Sequence, residues 1–293
     1  MRRQRAEPVQ PARRHKPRHS LKAGLPPGSP VFLGKQRVDD VRISVIDYED
    51  GDVREATLEK PEACRPYLGR DSVTWINVAG LHDAELLSEL GEILAIHPLV
   101  LEDILNTGQR PKFGDHGSYI FCVVKMLYRG KNDGDIISEQ VSFILAKGHL
   151  VTFQEVEGDV FGLIRDRIRD GQGRIRKMGC DYLAYALLDA IVDNYFVVLE
   201  EIGDRIEALQ DQVLARPEPR ALHAIHQLKR DMIFMRKNLW PLRELVSNFE
   251  HSESDLISKD LTPYLRDLYE HVYQVIDTVE TWRDMLSGAL DIY

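Results

Sequence analysis

Acidic side chains set among apolar residues are the groups in this chain with the clearest chemical potential. Glu102 and Asp103 are adjacent in an otherwise apolar segment, and Asp189 lies in the apolar run ALLDAIVD. Asp267 precedes His271 by four residues, which places both on one face of a helix. Carboxylates in apolar surroundings need an interface or a positive partner. Together these residues indicate a site for a hard cation, and Mg²⁺ suits it because Mg²⁺ keeps most of its waters and needs only one or two carboxylates.

Other kinds of chemistry find no support in the sequence. It contains no GxSxG, no P-loop and no HExxH motif, so we expect that the protein is not an enzyme. Cys64, Cys122 and Cys180 are isolated and show no CxxC spacing. This usage indicates a reducing compartment and argues against a structural zinc site.

Charge is distributed unevenly along the chain. The net charge is −9, although residues 1–22 contain eight Lys or Arg against one acid, Glu7. With its prolines and few apolar residues, the segment 1–23 is predicted to be a disordered basic tail. The acidic remainder would repel phosphates, so nucleic acid is not expected as a partner, whereas cations are. No apolar stretch approaches the roughly 18 residues of a membrane span, and we expect this chain to be soluble.

Residues 24–175 are predicted to form a mixed α/β domain. Strand patterns occupy residues 43–48, 73–78, 119–128, 140–146 and 150–154, and helical patterns occupy residues 83–94, a short stretch opened by Pro98, and 160–169. The stretch QRPK and residues 115–118 are predicted to be loop.

Residues 176–293 change to an all-helical pattern. Two long antiparallel helices are expected within 176–254, the first covering about 178–214 with an acidic outer face, and a third helix within 255–293. The third helix has apolar residues in alternating three- and four-residue steps: Leu265, Leu268, Val272, Val275, Val279, Trp282, Leu286, Ala289 and Tyr293. Glu270, Asp277, Asp284 and Asp291 recur every seven residues on the opposite face. No cap ends this pattern, so we expect that the helix is truncated.

Several motifs, in order along residues 24–293, resemble the cytosolic part of CorA-type magnesium/cobalt channels. They are GLPPGSPVFLGK, TWINVAGLH, IHPLVLEDILN, QRPK, EQVSFIL, GDVF, HQLKRDM, WPLRE and DTVETWRDMLSGALDIY. The resemblance implies an α+β fold in which an α/β/α sandwich is followed by long antiparallel helices and a stalk helix. It also implies a homopentamer at the cytoplasmic face of the inner membrane. The membrane helices and the Gly-Met-Asn signature of that family are absent from this sequence, so we expect the chain to be a cytosolic piece cut before the pore.

The resemblance also implies roles for the acids. Asp103 resembles an acid that pairs across the subunit interface with the acid matching Asp267, and Glu102 and Asp189 resemble members of a second site that shares Asp267. His271 is a further candidate ligand, and Asp291 resembles an acid that lines the pore. Mg²⁺, with Co²⁺ as the alternative transported ion, would bridge the interfaces and favour the closed channel.

Three alternatives remain open at this stage. A zinc-transporting relative would have the same fold, but zinc prefers His or Cys ligands. A soluble metal-dependent hydrolase would need clustered His and Asp ligands in a pocket. A coiled-coil scaffold would explain the heptads but not the acids in the segment around Glu102 and Asp103.

Overall fold

The computed structural model describes residues 22–130, 136–215 and 219–292, and its centre is a seven-stranded sheet. The strands lie in the order β2-β1-β3-β7-β6-β5-β4; β3 and β7 are parallel and all other neighbours are antiparallel. The strands are β1 Arg42–Tyr48, β2 Val53–Leu58, β3 Val73–Ala79, β4 Lys112–Asp115, β5 Tyr119–Arg129, β6 Ile136–Ala146 and β7 His149–Gln154.

Helices cover both faces of this sheet. They are α1 Ala84–Ile93, α2 Pro98–Leu105, α3 Gly162–Asp170, α4 Cys180–Ala215, α5 Pro219–Glu250 and α6 Thr262–Ile292, with short 3-10 helices at Pro61–Tyr67 and Lys259–Leu261. Side chains of β5 alternate between the two faces, as the pleat requires. Tyr119, Phe121 and Val123 pack with α1 and α2 in one core. Ile120, Cys122 and Val124 pack with α3 and the long helices in the other. The α/β/α arrangement followed by long helices is therefore confirmed.

The long helices form the second core through the faces that the sequence predicts. Every apolar position of the α6 heptad from Leu265 to Ala289 is buried except Trp282, which is partly exposed. Gly203 of α4 is the close-approach point, because a Cβ there would lie 2.8 Å from the Trp282 ring. The acidic positions Glu270, Asp277 and Asp284 are exposed, as a solvated face would be.

The helix α4 is more apolar than the sequence reading allowed. By length and composition, Cys180–Val213 would suffice to cross a membrane, because an 18-residue window within it has a mean hydropathy of 1.5. However, 61% of that window is buried inside the structure. Its apolar side chains pack against the sheet and the other helices, as in the core helix of a globular domain.

Two edge strands were missed by the sequence reading. The segment around QRPK was predicted to be loop, yet Lys112–Asp115 forms β4 and pairs with β5. Strand β2, Val53–Leu58, is largely exposed and has little apolar alternation. Both gain their structure from hydrogen bonds to a longer, well-formed neighbour, a contribution that periodicity does not report.

The predicted domain division at residues 24–175, 176–254 and 255–293 stays a prediction. The predicted tail, residues 1–23, lies outside the described residues up to residue 21.

Candidate metal site

Acidic residues of α4 and α6 converge where the two helices pack side by side. Asp189 and Asp193 lie one turn apart on α4, and His271 of α6 approaches them. Ligand atoms of these three residues all lie within 4.8 Å of one another. In the described part of the chain, this is the one group of three or more His, Cys, Asp or Glu residues close enough to hold a single ion.

The imidazole of His271 is flanked by carboxylates on both sides. Its Nδ1 lies 3.9 Å from Oδ1 of Asp189, and its Nε2 lies 3.8 Å from Oδ2 of Asp267. Neither distance is a hydrogen bond, and Nδ1 is buried without a hydrogen-bond partner. His271 thereby connects the predicted ligands Asp189 and Asp267, of which Asp267 is the more open, with 60% of its side chain exposed.

Electrostatics at Asp189 disfavour its own charge. Burial, together with the nearby Asp193 carboxylate, raises the pKa of Asp189 from 3.8 to about 6, and the opposing influence of His271 and Arg167 is smaller. A bound cation would supply the charge that stabilises a partly buried carboxylate. The side chain is one-quarter exposed, so an ion can reach it from solvent.

This donor set fits hydrated Mg²⁺. Two oxygens bound directly to one Mg²⁺ are at most about 4.2 Å apart, twice the metal–oxygen distance. Separations up to 4.8 Å suit an ion that contacts some of these side chains through its own waters. Two carboxylates and one imidazole, without a thiolate, are oxygen-rich, and this does not favour zinc.

The acids of α2 form a separate pair in the single chain. Pro98 opens α2, and the His97 ring accepts a hydrogen bond from the Leu99 amide at its start. Below the helix, buried Gln140 donates through Nε2 to the carbonyls of Asp103 and Ile104, at 3.3 Å each. These bonds fix the end of the helix that carries the acids.

Both acids of α2 are satisfied by their own chain. Oδ1 of Asp103 accepts from Nε2 of Gln109 at 2.6 Å, and Oδ2 lies 2.5 Å from Nζ of Lys112. Glu102 pairs with Lys22 through Oε1 and accepts from the Gly28 amide through Oε2 at 2.6 Å.

The environment of Glu102 favours its charged form. Partial burial raises the pKa of Glu102, but the Lys22 ammonium and the Gly28 amide outweigh this and leave the pKa below its ordinary value. Asp103 and Asp267 therefore have different partners within one chain, and their pairing across subunits stays a prediction.

Sequence reasoning missed three residues of these sites. Asp193 was assigned only to the acidic outer face of α4, although its position four residues after Asp189 was a sufficient signal. Lys22 and Lys112 carried no comparable signal, because only the tertiary fold brings them to α2. Asp291 belongs to the last turn of α6, but its side chain lies outside the described part of the structure.

Comparisons with known proteins agree with this architecture. Residues 70–293 match the family model of the CorA-like Mg²⁺ transporter protein. The cobalt/magnesium transport protein CorA of Thermotoga maritima is 48% identical over 276 residues, which cover 94% of this chain and 78% of that protein.

Solved structures add a likeness of fold. The soluble domain of CorA from Methanocaldococcus jannaschii superposes with a TM-score of 0.70 at 19% identity, covering 86% of this chain and 95% of that one. The ZntB cytoplasmic domain from Vibrio parahaemolyticus gives a TM-score of 0.66 at 11% identity, covering 85% and 96%.

Proposed function

The chain belongs to the CorA family of magnesium transporters, which are ion transporters and not enzymes, and from this premise we propose that it senses divalent cations for a magnesium and cobalt channel. The sensing part lies at the cytoplasmic face of the inner membrane in a homopentamer whose pore is formed by membrane helices. Mg²⁺ bridges acidic residues at subunit interfaces and favours the closed state.

One observation carries the proposal most directly: Asp189 is partly buried beside Asp193 and His271, and its environment disfavours the charged form. Such a group is more stable as a carboxylate when a cation accompanies it. A divalent ion at this position, held by Asp189, Asp193 and His271 with Asp267 at the open side, would supply that charge. The α2 acids would complete the sensor from a neighbouring subunit.

The gating follows from charge repulsion. Two carboxylates about 4 Å apart repel by about 4 kcal/mol at an effective dielectric constant near 20. A hydrated cation between them replaces the repulsion with a bridge, so abundant Mg²⁺ would favour the packed, closed arrangement. When Mg²⁺ falls, the repulsion returns, and α6 passes the resulting shift to the pore. The ion can move this equilibrium only by its difference in affinity for the two states.

Calorimetric titration of the chain with MgCl₂, alongside its mass in solution, tests the bridging. A bridge between subunits uses one acid from each, so Asp103→Asn and Asp267→Asn should each remove the same binding heat. Asp277→Asn, on the exposed face of α6, is the matched control and should leave the heat unchanged. Loss in Asp267→Asn but not in Asp103→Asn would contradict a bridge between subunits. Absence of Mg²⁺ binding in the unaltered chain would contradict the sensing function itself.

A further inference from the structure

The oxygens of the α2 acids are already engaged by the chain's own donors. Each of the four carboxylate oxygens of Glu102 and Asp103 has a nitrogen partner, and two of those nitrogens are lysine ammonium groups. A divalent ion that used these acids would have to displace those partners or share the oxygens with them.

Lys22 is placed at Glu102 by a specific backbone turn. Gly28 has a φ of +83°, and a Cβ at this position would lie 3.0 Å from Cβ of Pro98. Only glycine therefore allows the chain to pass this close to α2 while its amide donates to Glu102. The Leu25 amide also bonds back to the Lys22 carbonyl at 3.2 Å, which closes the turn that bears the lysine.

The position of Lys22 in the sequence makes this contact more than a surface pair. It is the last of the eight basic residues in the N-terminal 22, and it is joined directly to the segment that holds the other seven. With the ammonium in contact, the side chain of Glu102 is only 17% exposed, so little of it is left open to solvent. Lys22 is thus both the ionic partner of Glu102 and the residue at which the basic N-terminal stretch of the sequence ends.

We infer that Lys22 is a built-in competitor of the divalent cation at Glu102, so that ion binding and the Lys22 contact exclude each other. This rests on the proposed function, since it describes how the same acids are tuned. Because the lysine competes with the ion, a higher ion concentration is needed for half of the maximal response. By reciprocity, ion binding releases Lys22 from Glu102.

The test is the MgCl₂ concentration that gives half of the maximal rise in thermal unfolding midpoint, measured for the full chain at fixed ionic strength. Lys22→Met should lower this concentration by roughly two- to fivefold, the range set by the modest strength of partly exposed ion pairs. Lys147→Met is the charge-matched control, because Lys147 is an exposed lysine in the β6–β7 turn. This turn follows the end of β6 and is seven residues beyond Gln140, the residue of β6 that contacts α2. Lys147→Met should leave the concentration unchanged.

A second background separates direct competition from general charge. In Glu102→Gln the lysine has lost its charged partner, so adding Lys22→Met should produce no further shift. Equal shifts in Lys22→Met and Lys147→Met, no shift in Lys22→Met, or a shift that persists in the Glu102→Gln background would each overturn the inference. An unaltered chain that shows no rise with MgCl₂ would contradict the proposed function, and the inference with it; a normal rise with unresponsive Lys22→Met contradicts the inference alone.

Discussion

Replacing Asp189 with Asn should stabilise the protein when divalent cations are absent. Burial and Asp193 raise the pKa of Asp189 from 3.8 to about 6. This difference corresponds to about 3 kcal/mol at 1.4 kcal/mol per pKa unit, and partial exposure of the side chain makes it an upper value. Asn removes the charge at nearly the same volume, so at pH 7.5 we expect a gain of about 1–3 kcal/mol in the free energy of unfolding.

The direction in which the stability difference changes with pH shows whether the Asp189 charge causes it. An acid whose pKa is raised in the folded state contributes no penalty below pH 3.8 and its full penalty above about pH 6. The unaltered protein should therefore lose stability relative to Asp189→Asn as the pH rises through this window, and the two should agree near pH 4.

Urea unfolding in EDTA at pH 4, 5, 6 and 7.5 measures this directly. Asp204→Asn is the control, since Asp204 is an exposed acid on the same helix; it should differ little from the unaltered protein at any of these values. Asp189 would not be a carboxylate destabilised by its surroundings if Asp189→Asn were no more stable than the unaltered protein at pH 7.5. The same would follow if the gain in stability were equally large at pH 4.

Three further changes test the packing that positions the site. Tyr195→Phe removes the buried hydroxyl that donates to the Lys125 carbonyl and should cost about 1–2 kcal/mol in urea unfolding; an unchanged midpoint would contradict this. Gly288→Ala, in open space on α6, should gain up to about 1 kcal/mol from helix propensity. Gly203→Ala should lose stability instead, because its Cβ would meet Trp282 at 2.8 Å; equal gains in thermal unfolding midpoint would show that α4 and α6 do not pack this closely.

The sequence predicted the elements with strong periodicity. The apolar positions of the α6 heptad from Leu265 to Ala289 are buried as expected, except for the partly exposed Trp282. A single apolar stripe on a long helix is removed from water when that face packs against the rest of the protein. Edge strands β2 and β4 escaped prediction, since their order comes from pairing with β1 and β5 rather than from their own residues.

The candidate site was predicted as a set of acids but not as a geometry. Asp189, Asp267 and His271 do come together, because the two helices that bear them pack side by side. The partners of Glu102 and Asp103 could not be read from spacing, since Lys22 is distant from Glu102 in the chain and reaches it through a turn. Whether these acids meet Asp267 of another subunit depends on assembly, which neither periodicity nor a single chain specifies.

Thermal unfolding with and without millimolar MgCl₂, at fixed ionic strength and with the mass in solution recorded, shows whether the folded chain binds divalent cations. A ligand that binds only the folded state adds about 2.7 kcal/mol at a hundredfold excess over its dissociation constant. We expect a clear rise in the unfolding midpoint of the unaltered chain, a comparable rise with CoCl₂, and a markedly smaller rise in Asp267→Asn. The proposed cation site would be contradicted if the unfolding midpoint of the unaltered chain did not change with MgCl₂. It would also be contradicted if the midpoint of Asp267→Asn rose as much as that of the unaltered chain.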